Sequence, residues 1–161
     1  MIRALTTGAA LLSAAAAAQV ALAPADRDAA FRAAGFLKMG GAWRGCDDPG
    51  TAGYTPGSIE QVEDVNGDNL PEAVITEGSS YCYGGAGAGY VLVSKQGPAR
   101  WRRITQGTGM LRFLETRGVG GWPDIEIGGP GFCFPVERWN GREYRRVRFE
   151  YEGKPCTPAH R

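Results

Sequence analysis

After Cys46 the chain runs in short stretches where apolar and polar side chains alternate, broken by Gly, Pro, Asn and Asp. A period of two is the mark of half-buried strands. The stretches predict strands at 57–63, 72–77, 89–95, 101–105, 110–115, 124–128, 134–139 and 144–151. The last two are joined through Asn140-Gly141, a pair that accepts the positive φ angles of a tight hairpin. Ahead of the strands, "DRDAAFRAAGFLK" at 26–38 carries helical spacing instead. Phe31, Ala34 and Leu37 share a face, Asp26 or Asp28 can cap the start, and Gly40-Gly41 supplies a stop. The pattern therefore predicts a mainly β domain with one short helix in front.

The strands repeat. "DVNGDNLPEAVITEGSSYCY" aligns with "TRGVGGWPDIEIGGPGFCF". Pro71-Glu72 matches Pro123-Asp124, "AVI" matches "IEI", and Tyr81-Cys82-Tyr83 matches Phe132-Cys133-Phe134. "WRRI" at 101–104 matches "YRRV" at 144–147. Two degenerate four-stranded antiparallel halves follow, 57–105 and 110–151, inside one domain over 26–161. The second half has lost acidic residues: Thr116, Gly118 and Gly120 stand where Asp64, Asn66 and Asp68 stand in the first.

The N-terminus changes the setting of this domain. Arg3 precedes a run of small and apolar residues, and small-x-small patterns end at Ala18, Ala23 and Ala25. Residues 1–25 read as a secretory signal peptide cut near 18–25, in a product destined for the periplasm or the exterior. A membrane anchor needs about 20 strongly apolar residues, and this run is shorter and mostly alanine. Export makes the four cysteines, Cys46, Cys82, Cys133 and Cys156, two disulfides. Cys46–Cys82 with Cys133–Cys156 staples each half to its outer segment; Cys82–Cys133 with Cys46–Cys156 is the symmetric alternative. Without Arg3 the 18 basic residues become 17, against 17 acidic ones. A neutral chain without a basic stripe argues against nucleic acid as partner.

The densest chemistry lies in "DVNGDNLPE", Asp64 to Glu72. Asp64, Asn66 and Asp68 alternate, so a curled loop can turn them together, with Gly67 and Asn69 allowing the curl. Oxygen donors alone suit a hard cation such as Ca²⁺. The EF-hand pattern fails, because its sixth position is Asn69 and its twelfth Ile75. The loop and its flanking strands resemble the calcium loop of FG-GAP and VCBS-type repeats, the family of the integrin α-chain blades. That resemblance implies Asp64, Asn66, Asp68, the Leu70 carbonyl and Glu72 as ligands of Ca²⁺. It covers about 25 residues, and Asn69 departs from the family's usual glycine. A propeller needs at least four blades, and this chain has room for two.

Other groups carry weaker chemical signals. "GGAGAGY" (84–90) leads into a strand, not the helix a phosphate loop needs, so it reads as a contact loop. The single histidine, His160, is penultimate, which leaves Ser79-Ser80 without a base. Glu77 and Asp124 are carboxylates whose spacing selects no glycosidic chemistry. Tyr83, Tyr90 and Trp122 are the candidate contact surface, Trp122 as an exposed anchor in "GGWPD". These features predict a non-enzymatic, calcium-binding interaction module of the bacterial envelope, with an unknown protein or glycan as partner. An inhibitor or immunity-type protein acting on an envelope enzyme is the other reading.

Overall fold

A computed structural model describes residues 21–158. Residues 1–20 of the expected signal peptide, and His160, lie outside that range.

The protein is mainly β. Helix α1 (Pro24–Ala34) leads into a small hairpin, β1 (Leu37–Met39) and β2 (Ala42–Arg44). Then come β3 (Thr55–Glu63), β4 (Glu72–Gly78), the single turn α2 (Ser80–Tyr83), β5 (Ala88–Gly97) and β6 (Arg100–Thr108). These four strands form one antiparallel sheet in sequence order. A second antiparallel sheet follows, with β7 (Met110–Arg117), β8 (Pro123–Gly128), β9 (Phe134–Trp139), β10 (Tyr144–Tyr151) and β11 (Lys154–Pro155). The eight main strands fall where the alternation predicts them.

The helix differs from its predicted span. It stops at Gly35, not Gly40, because Gly35 takes a left-handed φ of 92° and gives its N–H to the Arg32 carbonyl. Leu37 and Lys38 therefore belong to β1 and not to the helix, and Leu37 is exposed. Tyr81 and Tyr83 likewise sit on a helical turn and not in a strand.

Three layers result: α1, the four-stranded sheet, and the five-stranded sheet. Ala73 and Ile75 of β4 face α1, where Phe31 stacks on Trp43 at 4.8 Å, while Val74 faces the second sheet. That double burial explains the unbroken apolar run "AVI". Full burial of a side chain such as Ile75 or Leu92 contributes about 2 kcal/mol. The second core gathers Val65, Val74 and Leu92 against Trp122, Ile125, Trp139 and Tyr144.

The connections sort to two ends. One end carries the β4–β5 and β8–β9 loops and both disulfides, Cys46–Cys82 and Cys133–Cys156. The opposite end carries the 64–71 loop and its counterpart at 118–122.

Candidate cation site and the buried carboxylates

The 64–71 loop curls as its residues predict. Gly67 and Asn69 take positive φ, 82° and 67°. Asp64 draws the chain around itself: Oδ1 accepts the N–H of Gly67 at 2.7 Å and of Asp68 at 3.2 Å, and Oδ2 accepts that of Asn69 at 2.8 Å. Asn66 Oδ1 accepts the Asp68 N–H at 2.9 Å, and Asp68 Oδ1 accepts the Leu70 N–H at 2.8 Å. Glu72 closes the loop. Its Oε2 accepts the Val65 N–H at 3.0 Å, and its Oε1 the Asn66 side-chain amide at 3.2 Å.

Glu72 is 1 % exposed. Burial, joined by the charges of Asp68 and Asp64 and opposed by hydrogen bonds from Ser94 and Val65, pushes its carboxyl up to about 7. Among the described residues, Asp64, Asp68 and Glu72 form no ion pair. Arg117 gives Nη1 to the carbonyls of Val65 (2.7 Å) and Gly121 (2.6 Å). As they stand, no three His, Cys, Asp or Glu side chains among the described residues group closely enough to hold a metal ion. The donor set still suits a hard cation: Asp64 Oδ1 already accepts two N–H groups, but Asp64 Oδ2 and Asp68 Oδ1 accept one each and keep a lone pair. Asp64 and Asp68 are exposed and can turn.

The second half treats the same position differently. Glu72 pairs across the sheet with Ser94. Asp124, one step beyond the pair Ile125↔Glu137, faces Arg138. Asp124 is fully buried and takes a two-pronged guanidinium: Arg138 Nε to Oδ1 at 2.9 Å and Nη2 to Oδ2 at 2.8 Å. Arg148 Nη1 adds 2.8 Å to Oδ2, and the Thr116 hydroxyl, standing in the place of Asp64, donates at 2.6 Å. Burial alone would raise this carboxyl, but the bonds from Arg138, Thr116 and Arg148 outweigh it and hold it well below the usual range.

Two further carboxylates brace the disulfide end. Glu77 accepts the Gly45 N–H at 2.9 Å, the Tyr54 hydroxyl at 2.9 Å and the Tyr83 hydroxyl at 2.7 Å. Asp48 accepts the N–H groups of Gly50 and Thr51 and the hydroxyls of Thr51 and Ser79. Burial works to raise Asp48, yet those bonds, led by Ser79, hold it well below the usual range. Beside Tyr83, a cleft of about 450 Å³ runs between Gly35-Phe36 and Gly89, rimmed by Arg103, Gln106 and Thr108.

The candidate contact residues are rearranged. Trp122 is no exposed anchor: it packs between Trp139 and Tyr144, with ring centroids 5.5 and 6.4 Å away. Tyr90 is buried on β5, while Tyr83 is half-buried and lines the cleft. The outward aromatics are the first members of the two triplets, Tyr81 at 67 % and Phe132 at 77 % exposure. Glu77 and Asp124 lie at opposite ends of the strands, on opposite outer faces, and cannot flank one bond. Sequence reasoning missed Asp48, the tyrosines on Glu77, and the arginines on Asp124. The repeat that aligned Asp124 with Glu72 held the signal for the last of these.

Comparison with family models, with curated proteins and with solved structures found no match. Among the described residues no helix is long and apolar enough to cross a membrane.

Proposed function

We propose that the protein is an exported, non-enzymatic interaction module whose 64–72 loop takes up Ca²⁺. The observation that carries this reading is the contrast between its halves. Where the acidic loop is gone, two guanidinium groups neutralise the buried Asp124. Where the loop remains, Asp64, Asp68 and Glu72 belong to one turn and form no ion pair among the described residues, and the residue across from Glu72 is a neutral serine. A cation bound in the first half would supply the counter-charge that Arg138 and Arg148 supply in the second. Asp64, Asn66, Asp68, the Leu70 carbonyl and Glu72 would hold it. The ion would neutralise the cluster and fix the loop; it takes no part in a reaction.

The two disulfides and the described helices are compatible with an extracellular or periplasmic location. Rigid loops at the disulfide end, presenting Tyr81 and Phe132, suit a surface for a protein or glycan. Glu77 and Asp48 are both consumed by internal hydrogen bonds, which favours bracing over acid–base work.

Calorimetric titration of Ca²⁺ into the oxidised protein tests this, beside an Asp64→Ala/Asp68→Ala variant. One saturable site that disappears in the variant supports it. No heat at millimolar Ca²⁺, the range of extracellular modules, reduces the loop to a polar turn.

A further inference from the structure

Three small-x-small patterns leave the leader's cut at Ala18, Ala23 or Ala25, and the fold separates them. Leu22 is not a spacer: it packs against the first core together with Ala29, Ala33, Ile59 and Val62. Ala23 is the cap residue of α1, and its carbonyl accepts the Arg27 N–H at 2.9 Å, the helix's first bond. Pro24 occupies the first turn, where its missing N–H costs nothing. Asp26 fastens that turn to the β5–β6 connection, accepting from Lys95 Nζ at 2.7 Å, the Ala99 N–H at 3.1 Å and Trp101 Nε1 at 3.2 Å.

A cut after Ala25 removes Leu22, the cap carbonyl and Pro24 together. It also places an α-ammonium at the positive end of the helix dipole. A cut after Ala23 removes Leu22 and the cap, and must break a bond to a proline nitrogen. A cut after Ala18 removes none of these groups.

We infer that the precursor is processed between Ala18 and Gln19, so that the mature chain keeps Leu22, Ala23 and Pro24, which the fold uses. This rests on the export reading above. The step is hydrolysis: water adds to the Ala18 carbonyl, the peptide bond breaks, and Gln19 leaves with a free α-amine. That amine can then displace ammonia from the glutamine's own side-chain amide and close a lactam, so the new first residue is Gln19 or its cyclised form.

The experiment is expression of the full chain in a Gram-negative host, with intact mass and N-terminal peptide mapping of the envelope and cytosolic fractions. A product in the envelope beginning at Gln19 is expected. An exported product beginning at Pro24, Asp26 or any other residue overturns the assignment and leaves export standing. An uncut chain in the cytosol overturns export and the assignment with it. As a second measurement, chains begun at Gln19 and at Asp26 are melted side by side. The shorter chain should melt lower by about 5 °C or more, and equal melting temperatures would remove the physical basis for the assignment.

Discussion

Arg138 stands across from Asp124 as Ser94 stands across from Glu72. The two carboxyls begin equivalent strands and follow equivalent prolines, yet one carries a built-in counter-charge and the other does not. In the second half Arg148 doubles that charge from the neighbouring strand. The same swap explains how that half could lose Asp64, Asn66 and Asp68 and keep its turn: Thr116 supplies a hydroxyl donor where an aspartate would add a negative charge.

Arg138→Ser copies the first half into the second and leaves Asp124 buried with fewer partners. Removing one member of a buried pair costs about 3–5 kcal/mol. Arg148 and Thr116 remain, and the Arg138 side chain is half in solvent, so a loss of about 2 kcal/mol is expected here. Denaturant unfolding measures it. A loss near zero would show that Arg148 alone neutralises the site.

The same network sets an acid limit. The folded Asp124 carboxyl lies below its unfolded value, so the native state binds fewer protons than the unfolded chain. Its stabilisation is complete above an unfolded pKa of about 4 and is lost as pH falls through and below it. Asp48 acts in the same direction. Glu72 works the other way, because burial raises its folded carboxyl to about 7 and the native state binds the extra proton. Without added cation the melting temperature should rise slightly from neutral pH to about 5, and then fall as Asp124 and Asp48 lose their contribution. The fall should be shallower in Arg138→Ser, because part of the shift is gone. An unchanged slope would place the acid sensitivity elsewhere.

The architecture was legible because alternation and turn residues are local signals. "AVI", Asn140-Gly141 and the Pro-acid pairs each reported their own surroundings. The misreadings came from contacts made at long range. "GGWPD" looks like an exposed tip, but Trp139 and Tyr144 arrive from two other strands to cover Trp122. Arg148 is the sharper case. Strict alternation from the buried Tyr144 would turn Arg148 between the sheets. A bulge between Arg146 and Arg148 rotates it to the outer face and onto Asp124. Nothing in "YRRVRF" announces that bulge. The helix end was misjudged for a smaller reason: Gly35 sits within a run whose apolar spacing continues to Leu37, and its left-handed φ ends the helix first.

Each disulfide closes a loop of its own half, 36 residues apart for Cys46–Cys82 and 23 for Cys133–Cys156. Loop-closure entropy gives each about 3–4 kcal/mol, the first slightly more. Cys46→Ala/Cys82→Ala should therefore lower stability by that amount in denaturant. It should also loosen the segment 45–54, which Glu77 and Asp48 hold through Gly45, Tyr54 and Thr51. Faster amide exchange confined to that segment is the expected signature, whereas uniform loss of protection would mean the bridge supports the whole fold.

Gly89 tests how Glu77 is held. A methyl added there would lie 2.3 Å from Cε1 of Tyr83, so the ring rests on the bare backbone of β5. Tyr83→Phe removes one of three donors to a buried carboxylate and should cost about 1–2 kcal/mol. Gly89→Ala forces the whole ring to move, so it loses the same hydrogen bond and the ring's packing as well. It should cost more than Tyr83→Phe, by about 1 kcal/mol or more. In Tyr83→Phe/Gly89→Ala the hydrogen bond is lost only once, so the combined loss should fall short of the sum of the single losses. Full additivity would mean that Gly89→Ala leaves the Tyr83–Glu77 hydrogen bond in place and that the ring does not depend on Gly89.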